Sequence, residues 1–224
     1  MTSLQTPSPE HKTRILLVDD HPVLRHGMAA MINAESDLLV CGEADGVQAA
    51  LKVMDECKPD LALIDLAIRD GDGLELIKVM KSRFPRVMAL VLSMYDEEVY
   101  AERALKAGAH GYIMKAEAAK AVVNGIRTVM RGDIYLSEQM AAKLSLRRPG
   151  EHDRASAGVD RLTDRELQVL RCIGRGMSVR EIADELFISG KTVEAHREHI
   201  KQKLQLVSSG ELLRYAIEHT RVQS

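Results

Sequence analysis

Three things are scarce in this 224-residue chain: cysteine, long apolar runs and net charge. Its three cysteines, Cys41, Cys57 and Cys172, stand far apart with no Cys-x-x-Cys spacing. An odd, scattered set argues against a disulfide framework and fits a reducing cytoplasm. No apolar run approaches the roughly 18 residues of a membrane helix, so no membrane partner is expected. The opening "MTSLQTPSPEHKT" lacks the apolar centre of a signal peptide and reads as a disordered leader over residues 1–12. No internal repeat and no low-complexity tract is visible.

The formal net charge is only −2, but it is unevenly spread. Residues 1–136 hold 16 Lys and Arg against 20 Asp and Glu, whereas residues 161–224 hold 11 against 9. A mildly basic C-terminal piece is compatible with nucleic acid without establishing it. The hydrophobic content of 46% is enough to fill real cores, and the length admits one large domain or two small ones.

From Arg14 to about Arg131, short apolar runs alternate with amphipathic stretches. Strands are expected at Ile15–Val18, Leu38–Cys41, Leu61–Ile64, Val87–Leu92 and Gly111–Met114. None alternates strictly, as expected of strands covered on both faces. Helix-length segments lie near 22–33, 46–56, 72–82, 97–107 and 117–131. Pro22 stands where a first helical residue belongs, and Gly108 and Gly132 stand where helices stop. Five such repeats predict an α/β fold: a five-stranded doubly wound parallel sheet of order 2-1-3-4-5.

In that order the switch point lies between strands 1 and 3, and sites form at the carboxyl ends. Strand 1, in "ILLVDDHP", ends at Asp19 and Asp20, and strand 3, in "LALIDLAIRDGDG", ends at Asp65. Three carboxylates in one crevice are tolerable if a divalent cation sits among them, and all-oxygen ligands suit Mg²⁺. Strand 4 ends in Ser93 and strand 5 near Lys115. Each residue alone reads as a cap, a turn or a solvated charge. Together they form a phosphoryl-acceptor constellation, since Asp is a competent nucleophile once the incoming charge is neutralised.

Over residues 13–131 this arrangement resembles the receiver domain of bacterial response regulators. The resemblance implies that Asp65 is the phosphoacceptor and that Asp19, Asp20 and Asp65 hold Mg²⁺. It implies that Ser93 closes on the phosphoryl group, that Lys115 pairs with it, and that Tyr112 is the aromatic switch. A packed strand aromatic accounts for Tyr112 equally well. Arg69 stands where the family usually has proline, in the acidic, glycine-rich "RDGDG", while Gly73 retains the expected glycine. Met94 and Tyr95 are expected to restrict water near Asp65.

Residues 132–160 read as a linker containing a short helix around Glu138–Leu146. From residue 161 to 224 the pattern is all-helical, with four helices. "TDRE", "SVRE" and "SSGE" each match the capping box, and Ser189 caps a fourth helix without the Glu. On that fourth segment Val193, Ile200 and Leu204 share a stripe that also contains Arg197, predicted to pair with Glu166. The opposite face carries Lys191, Ala195, Glu198 and Gln202, flanked by Glu194, His199 and Lys201. It suits a major-groove reader or an ordinary solvated face.

The run "LTDRELQVLRCIGRGMSVREIADELFISGKTVEAHREHIKQKL" resembles the LuxR/NarL-type helix-turn-helix. The resemblance places Lys191, Thr192, Glu194, Ala195, His196 and Glu198 near DNA. Lys191, Thr192, His196 and Lys201 suit phosphates, and Glu194, Ala195 and Glu198 suit bases. Leu212, Leu213, Tyr215 and Ala216 match a dimerisation helix or belong to the domain core. The whole resembles a NarL-type two-component response regulator. It implies a cytoplasmic DNA-binding transcriptional regulator with a sensor histidine kinase as partner. It also implies a homodimer when phosphorylated, on paired half-sites of promoter DNA. Enzymatic action is then confined to Mg²⁺-dependent self-phosphorylation and self-dephosphorylation. An Mg²⁺-dependent phosphohydrolase would want an acid/base Asp two residues after its nucleophile, and Leu66-Ala67 argues against one. A receiver serving only as a docking module is the other alternative.

Overall fold

The structure is a computed structural model that describes residues 12–146 and 158–221. The expected leader and the middle of the expected linker lie outside the described residues. The chain divides into two compact units, with the division after Met140.

The first unit runs β1 (Thr13–Val18), α1 (Pro22–Asn33), β2 (Leu38–Ala44), α2 (Val47–Cys57), β3 (Leu61–Ile64), β4 (Ala67–Ile68), β5 (Gly71–Asp72), α3 (Gly73–Arg83), β6 (Met88–Ser93), α4 (Glu97–Ala107), β7 (Gly111–Met114) and α5 (Ala118–Met130). The main sheet is parallel, in the order β2-β1-β3-β6-β7. That is the order expected of a five-stranded doubly wound sheet. Alternate residues Ile15, Leu17, Leu61, Leu63 and Leu90 join Ile32, Val122, Ile126 and Val129 of the helices in one apolar core. Leu16, Ala62, Ile64 and Val91, between them, are also buried, so the strands are covered on both faces.

The helices begin where local chemistry allows. Pro22 opens α1. Asp72 caps α3 by accepting from the Leu74 amide at 2.7 Å, and Asp96 caps α4 through the Glu98 amide at 2.8 Å. One feature was not anticipated. The loop after Asp65 forms a miniature antiparallel hairpin, β4 with β5, turning at Arg69-Asp70 with Asp70 at φ +59°.

The first part of the stretch read as linker belongs to this unit. The Tyr112 amide donates to the Tyr135 carbonyl at 2.8 Å, and the Tyr135 amide donates to the His110 carbonyl at 3.1 Å. Gly111 makes room for this pass, since a Cβ there would lie 2.6 Å from the Tyr135 oxygen. The Ser137 amide donates to Glu97 Oε1 at 2.9 Å, and Met140 is buried. Helix α6 spans Glu138–Leu146, as expected.

The second unit is helical: a 3-10 turn at Val159–Arg161, then α7 (Asp164–Gly174), α8 (Val179–Glu185), α9 (Gly190–Leu204) and α10 (Ser209–Arg221). Thr163 with Glu166 and Ser178 with Glu181 form complete capping boxes. Glu211 instead accepts from the Val207 amide, one residue before the Ser208 cap. Leu167, Leu170, Ile182, Val193, Ile200, Leu212 and Ala216 are buried. Leu212 and Ala216 are therefore core residues, whereas Leu213 is exposed.

The predicted Arg197–Glu166 pair is not formed. Arg197 lies 3.7 Å from Glu194 on its own helix. Glu166 takes Lys203 Nζ at 2.6 Å. Both basic residues lie on α9, and Lys203 is the one that reaches the carboxylate.

Candidate functional site

Strands β1 and β3 are adjacent and in register, with Val18 opposite Ile64. Their carboxyl ends therefore deliver Asp19, Asp20 and Asp65 to one crevice. All three are buried, at 6%, 7% and 3% exposure. Strand β7 brings Lys115, whose Nζ lies 2.6 Å from Asp65 Oδ2 and 2.7 Å from Asp19 Oδ2. One ammonium thus bridges two carboxylates. Ser93, at the end of β6, is also buried.

Electrostatics follow from this burial. Burial pushes Asp65 up to about 6; Lys115 pulls the other way and Asp19 adds to the rise. Burial likewise raises Asp20. Burial works against the charge of Lys115, but Asp65 and Asp19 outweigh it and hold the ammonium above its ordinary range. Asp65 and Asp20, not the lysine, are the groups whose charge is disfavoured here.

Two residues not anticipated also line the crevice. His21 Nδ1 lies 2.7 Å from Asp20 Oδ1 and 3.2 Å from Asp19 Oδ1. Arg25 donates to the Asp19 carbonyl at 2.6 Å and to Glu43 at 2.9 Å. The His21 approach to Asp20 is off the hydrogen-bonding direction. Asp20 Oδ1 therefore has no hydrogen-bond partner among the described residues. A buried carboxylate oxygen without a donor, beside two further carboxylates, fits a hard divalent cation. His21 sits next to Asp20 in the sequence, but nothing in its spacing marks it.

The loop after Asp65 is anchored from outside the crevice. Asp70 Oδ1 accepts from the Val47 amide at 2.7 Å, capping α2 across the loop. Arg69 donates to the Asp45 carboxylate at 2.9 Å, and its amide donates to the Asp45 carbonyl at 3.1 Å. Gly73 allows the loop to close, because a Cβ there would stand 2.3 Å from the Asp65 carbonyl oxygen. The departure from proline at Arg69 thus coincides with a docked loop.

Tyr112 is buried and donates from its hydroxyl to the Tyr95 carbonyl at 2.7 Å. The Tyr95 amide in turn donates to Ser93 Oγ at 3.2 Å. Ser93 and Tyr112 are thus linked through one residue. The Tyr95 ring stacks on Tyr100 at 5.0 Å, and Met94 is 71% exposed.

In the second unit α9 presents Lys191, Glu194, Ala195 and Glu198 to solvent. Thr192 Oγ1 is held by Ser189 Oγ at 2.8 Å. Lys201 is tied to Glu198 at 2.8 Å and its side chain is largely covered. His196 is half-buried, and its Nδ1 has no partner among the described residues. Burial, with Arg165 nearby, lowers its basicity. The two glutamates of this face are more open than Thr192, His196 and Lys201.

The chain matches two families: "Response regulator receiver domain" over residues 15–127 and "Bacterial regulatory proteins, luxR family" over residues 160–216. It belongs to the response regulators of two-component systems, of the NarL/LuxR type, which regulate transcription. Among curated relatives it is 39% identical to the oxygen regulatory protein NreC of Staphylococcus carnosus, over 92% of this chain and 97% of the relative. It is 38% identical to NreC of Staphylococcus aureus strain RF122, with the same coverage. Among solved structures it resembles the RcsB response regulator of Salmonella typhimurium at TM-score 0.65 and 25% identity, over 93% of this chain and 98% of that one. A second RcsB structure, from Salmonella enterica serovar Typhimurium, is bound to promoter P1flhDC with the phosphomimetic BeF₃⁻. It matches at TM-score 0.62 and 24% identity, over 92% of this chain and 98% of that one.

Proposed function

We propose that this regulator accepts a phosphoryl group on Asp65 from a sensor histidine kinase and converts it into a change in promoter binding. One observation carries the reading: Lys115 bridges Asp65 and Asp19 inside a buried crevice, beside a carboxylate oxygen with no hydrogen-bond donor among the described residues. Asp19, Asp20 and Asp65 would hold Mg²⁺, which supplies charge neutralisation for the incoming phosphoryl oxygens. Asp65 attacks as a carboxylate, and its value of about 6 leaves it ionised at neutral pH. Lys115 exchanges a carboxylate for a phosphoryl oxygen, keeping its charge paired. Ser93 offers its hydroxyl to another oxygen. Any movement of Ser93 reaches Tyr112 through Tyr95, whose amide and carbonyl hold the two side chains.

The output is a shift in domain arrangement or dimerisation. Lys191, Thr192, His196 and Lys201 are assigned to phosphates, and Glu194, Ala195 and Glu198 to bases, on paired half-sites. Promoter-bound RcsB supports this reading for the shared fold. Among the described residues no helix is long and apolar enough to cross a membrane. The test starts by selecting bound fragments from sheared genomic DNA. Fluorescence anisotropy on a selected duplex then follows, with and without acetyl phosphate and Mg²⁺. Wild type is expected to tighten about tenfold, a change of about 1.4 kcal/mol, and Asp65→Asn to stay unresponsive. An equal response from both proteins would overturn the proposal.

A further inference from the structure

Sixteen positions separate Cys41 from Cys57, yet their sulfurs lie 3.1 Å apart. Two local features create the approach. The β1–β2 ladder pairs Ile15 with Val40 and then Leu16 with Gly42, so Cys41 is skipped. A skipped residue is a β-bulge, which re-aims a side chain out of strict alternation. Gly42 next to it lets α2 pack close. A Cβ there would stand 2.3 Å from Val53 Cγ1 and 3.3 Å from Cys57 Sγ. At the far end of α2, Arg14 donates twice to the Cys57 carbonyl, at 3.0 and 2.7 Å, and Lys58 turns the chain away at φ +45°. Cys57 is therefore held through its own carbonyl, and Cys41 is placed by the ladder pairs of Val40 and Gly42 on either side of it. Both cysteines are only half-buried, whereas Cys172 is buried and belongs to the other unit.

We propose that Cys41 and Cys57 are a modification site: a dithiol that closes to a reversible intramolecular disulfide on exposure to a peroxide. A disulfide bond is about 2.05 Å long, so closure asks for about 1 Å of movement. Burial and the neighbouring Cys57 sulfur push the Cys41 thiol up to about 12, and the first attack is assigned to Cys57, the last residue of α2. Its deprotonated sulfur attacks one peroxide oxygen. The S–O bond forms, the O–O bond breaks, and the departing hydroxide leaves as water after taking up a proton. Cys41 then gives up its proton and attacks the Cys57 sulfur. The S–S bond forms, the S–O bond breaks, and a second water leaves. Two thiols are oxidised by two electrons and one peroxide is reduced to two waters.

The linkage ties α2 to β2 at the helix C-terminus. Asp70 of the acceptor loop already holds the helix N-terminus. Oxidation thus clamps both ends of α2. Transient disulfides of this kind are the form in which redox sensing occurs in a reducing compartment.

The test uses the full, reduced chain treated with hydrogen peroxide. It is then alkylated under denaturing conditions and weighed intact. Free thiols are expected to fall from three to one. A non-reducing digest should contain one peptide pair joined through Cys41 and Cys57, and dithiothreitol should restore all three thiols. Cys172→Ser should still form the link, and Cys41→Ser and Cys57→Ser should each abolish it. Three thiols surviving in the wild type would overturn the proposal, as would cysteines oxidised singly or joined only between chains. That wild-type reading stands even if a variant fails to fold.

Discussion

Asp65 and Glu166 are two buried carboxylates, each with a lysine ammonium at 2.6 Å, and they titrate in opposite directions. Asp65 is pushed up to about 6, chiefly by burial. Glu166 suffers burial too, but Lys203 and the Thr163 cap outweigh it and hold its carboxyl below the usual range. The difference lies in what else each carboxylate owns. Glu166 has its lysine alone among the carboxylates of its site and also accepts from the Thr163 amide at 2.7 Å. Asp65 shares Lys115 with Asp19, and its other oxygen has only a 3.3 Å contact from the Ala67 amide. A carboxylate with a lysine to itself and a short amide bond holds helices together, and one that shares its lysine with a second carboxylate is the one to which we assign chemistry.

The comparison breaks most severely at Glu166. Glu166→Ala leaves Lys203 beside an apolar gap and removes a cap, so the helical unit should lose about 3 kcal/mol. Thermal denaturation read from the second unit should show it, while phosphoryl uptake by the first unit is retained. Gly73→Ala forces a Cβ against the Asp65 carbonyl oxygen and the Leu66 Cα, both backbone. It should cost about 1–3 kcal/mol in the first unit and slow phosphoryl uptake. Urea denaturation and acetyl phosphate kinetics check both parts.

Asp70→Ala removes a cap from α2 without touching the crevice and should cost about 1 kcal/mol. Arg69→Ala, which breaks an ion pair between partly exposed groups, should cost well under 1 kcal/mol. A double-mutant cycle on the same melts separates the two. The smallest effect concerns pH. Glu166 titrates below its ordinary value of 4.5. Its stabilisation is therefore fully present above about 4.5 and is lost as pH falls through the lower folded value. Glu166→Gln should flatten the acid limb of the stability curve. An unchanged limb would remove Glu166 from the account.

Much of this was legible in the residues. Short apolar runs between capped amphipathic segments predicted the strands, the common order of five-stranded doubly wound sheets supplied their arrangement, and strand ends predicted which carboxylates meet. The capping boxes at Thr163 and Ser178 were readable because both partners lie three residues apart. What escaped were contacts between positions distant in sequence with no periodic signature. The Cys41–Cys57 approach needed a bulge, and bulges leave no mark in apolar spacing. The Asp70 cap on α2 joins two loops 23 positions apart. Arg197 was misassigned because a helical wheel shows that a basic residue faces inward without showing which one reaches the acid. Tyr135 was read as linker because no apolar periodicity around it marks its packing on the core.

The central claim is that Asp65 is the carboxylate left available for phosphoryl transfer. Intact mass after incubation with acetyl phosphate and Mg²⁺, wild type beside Asp65→Asn, tests it most directly. One phosphoryl group on the wild type and none on the variant is the expected result. A gain of the same size on Asp65→Asn would contradict it.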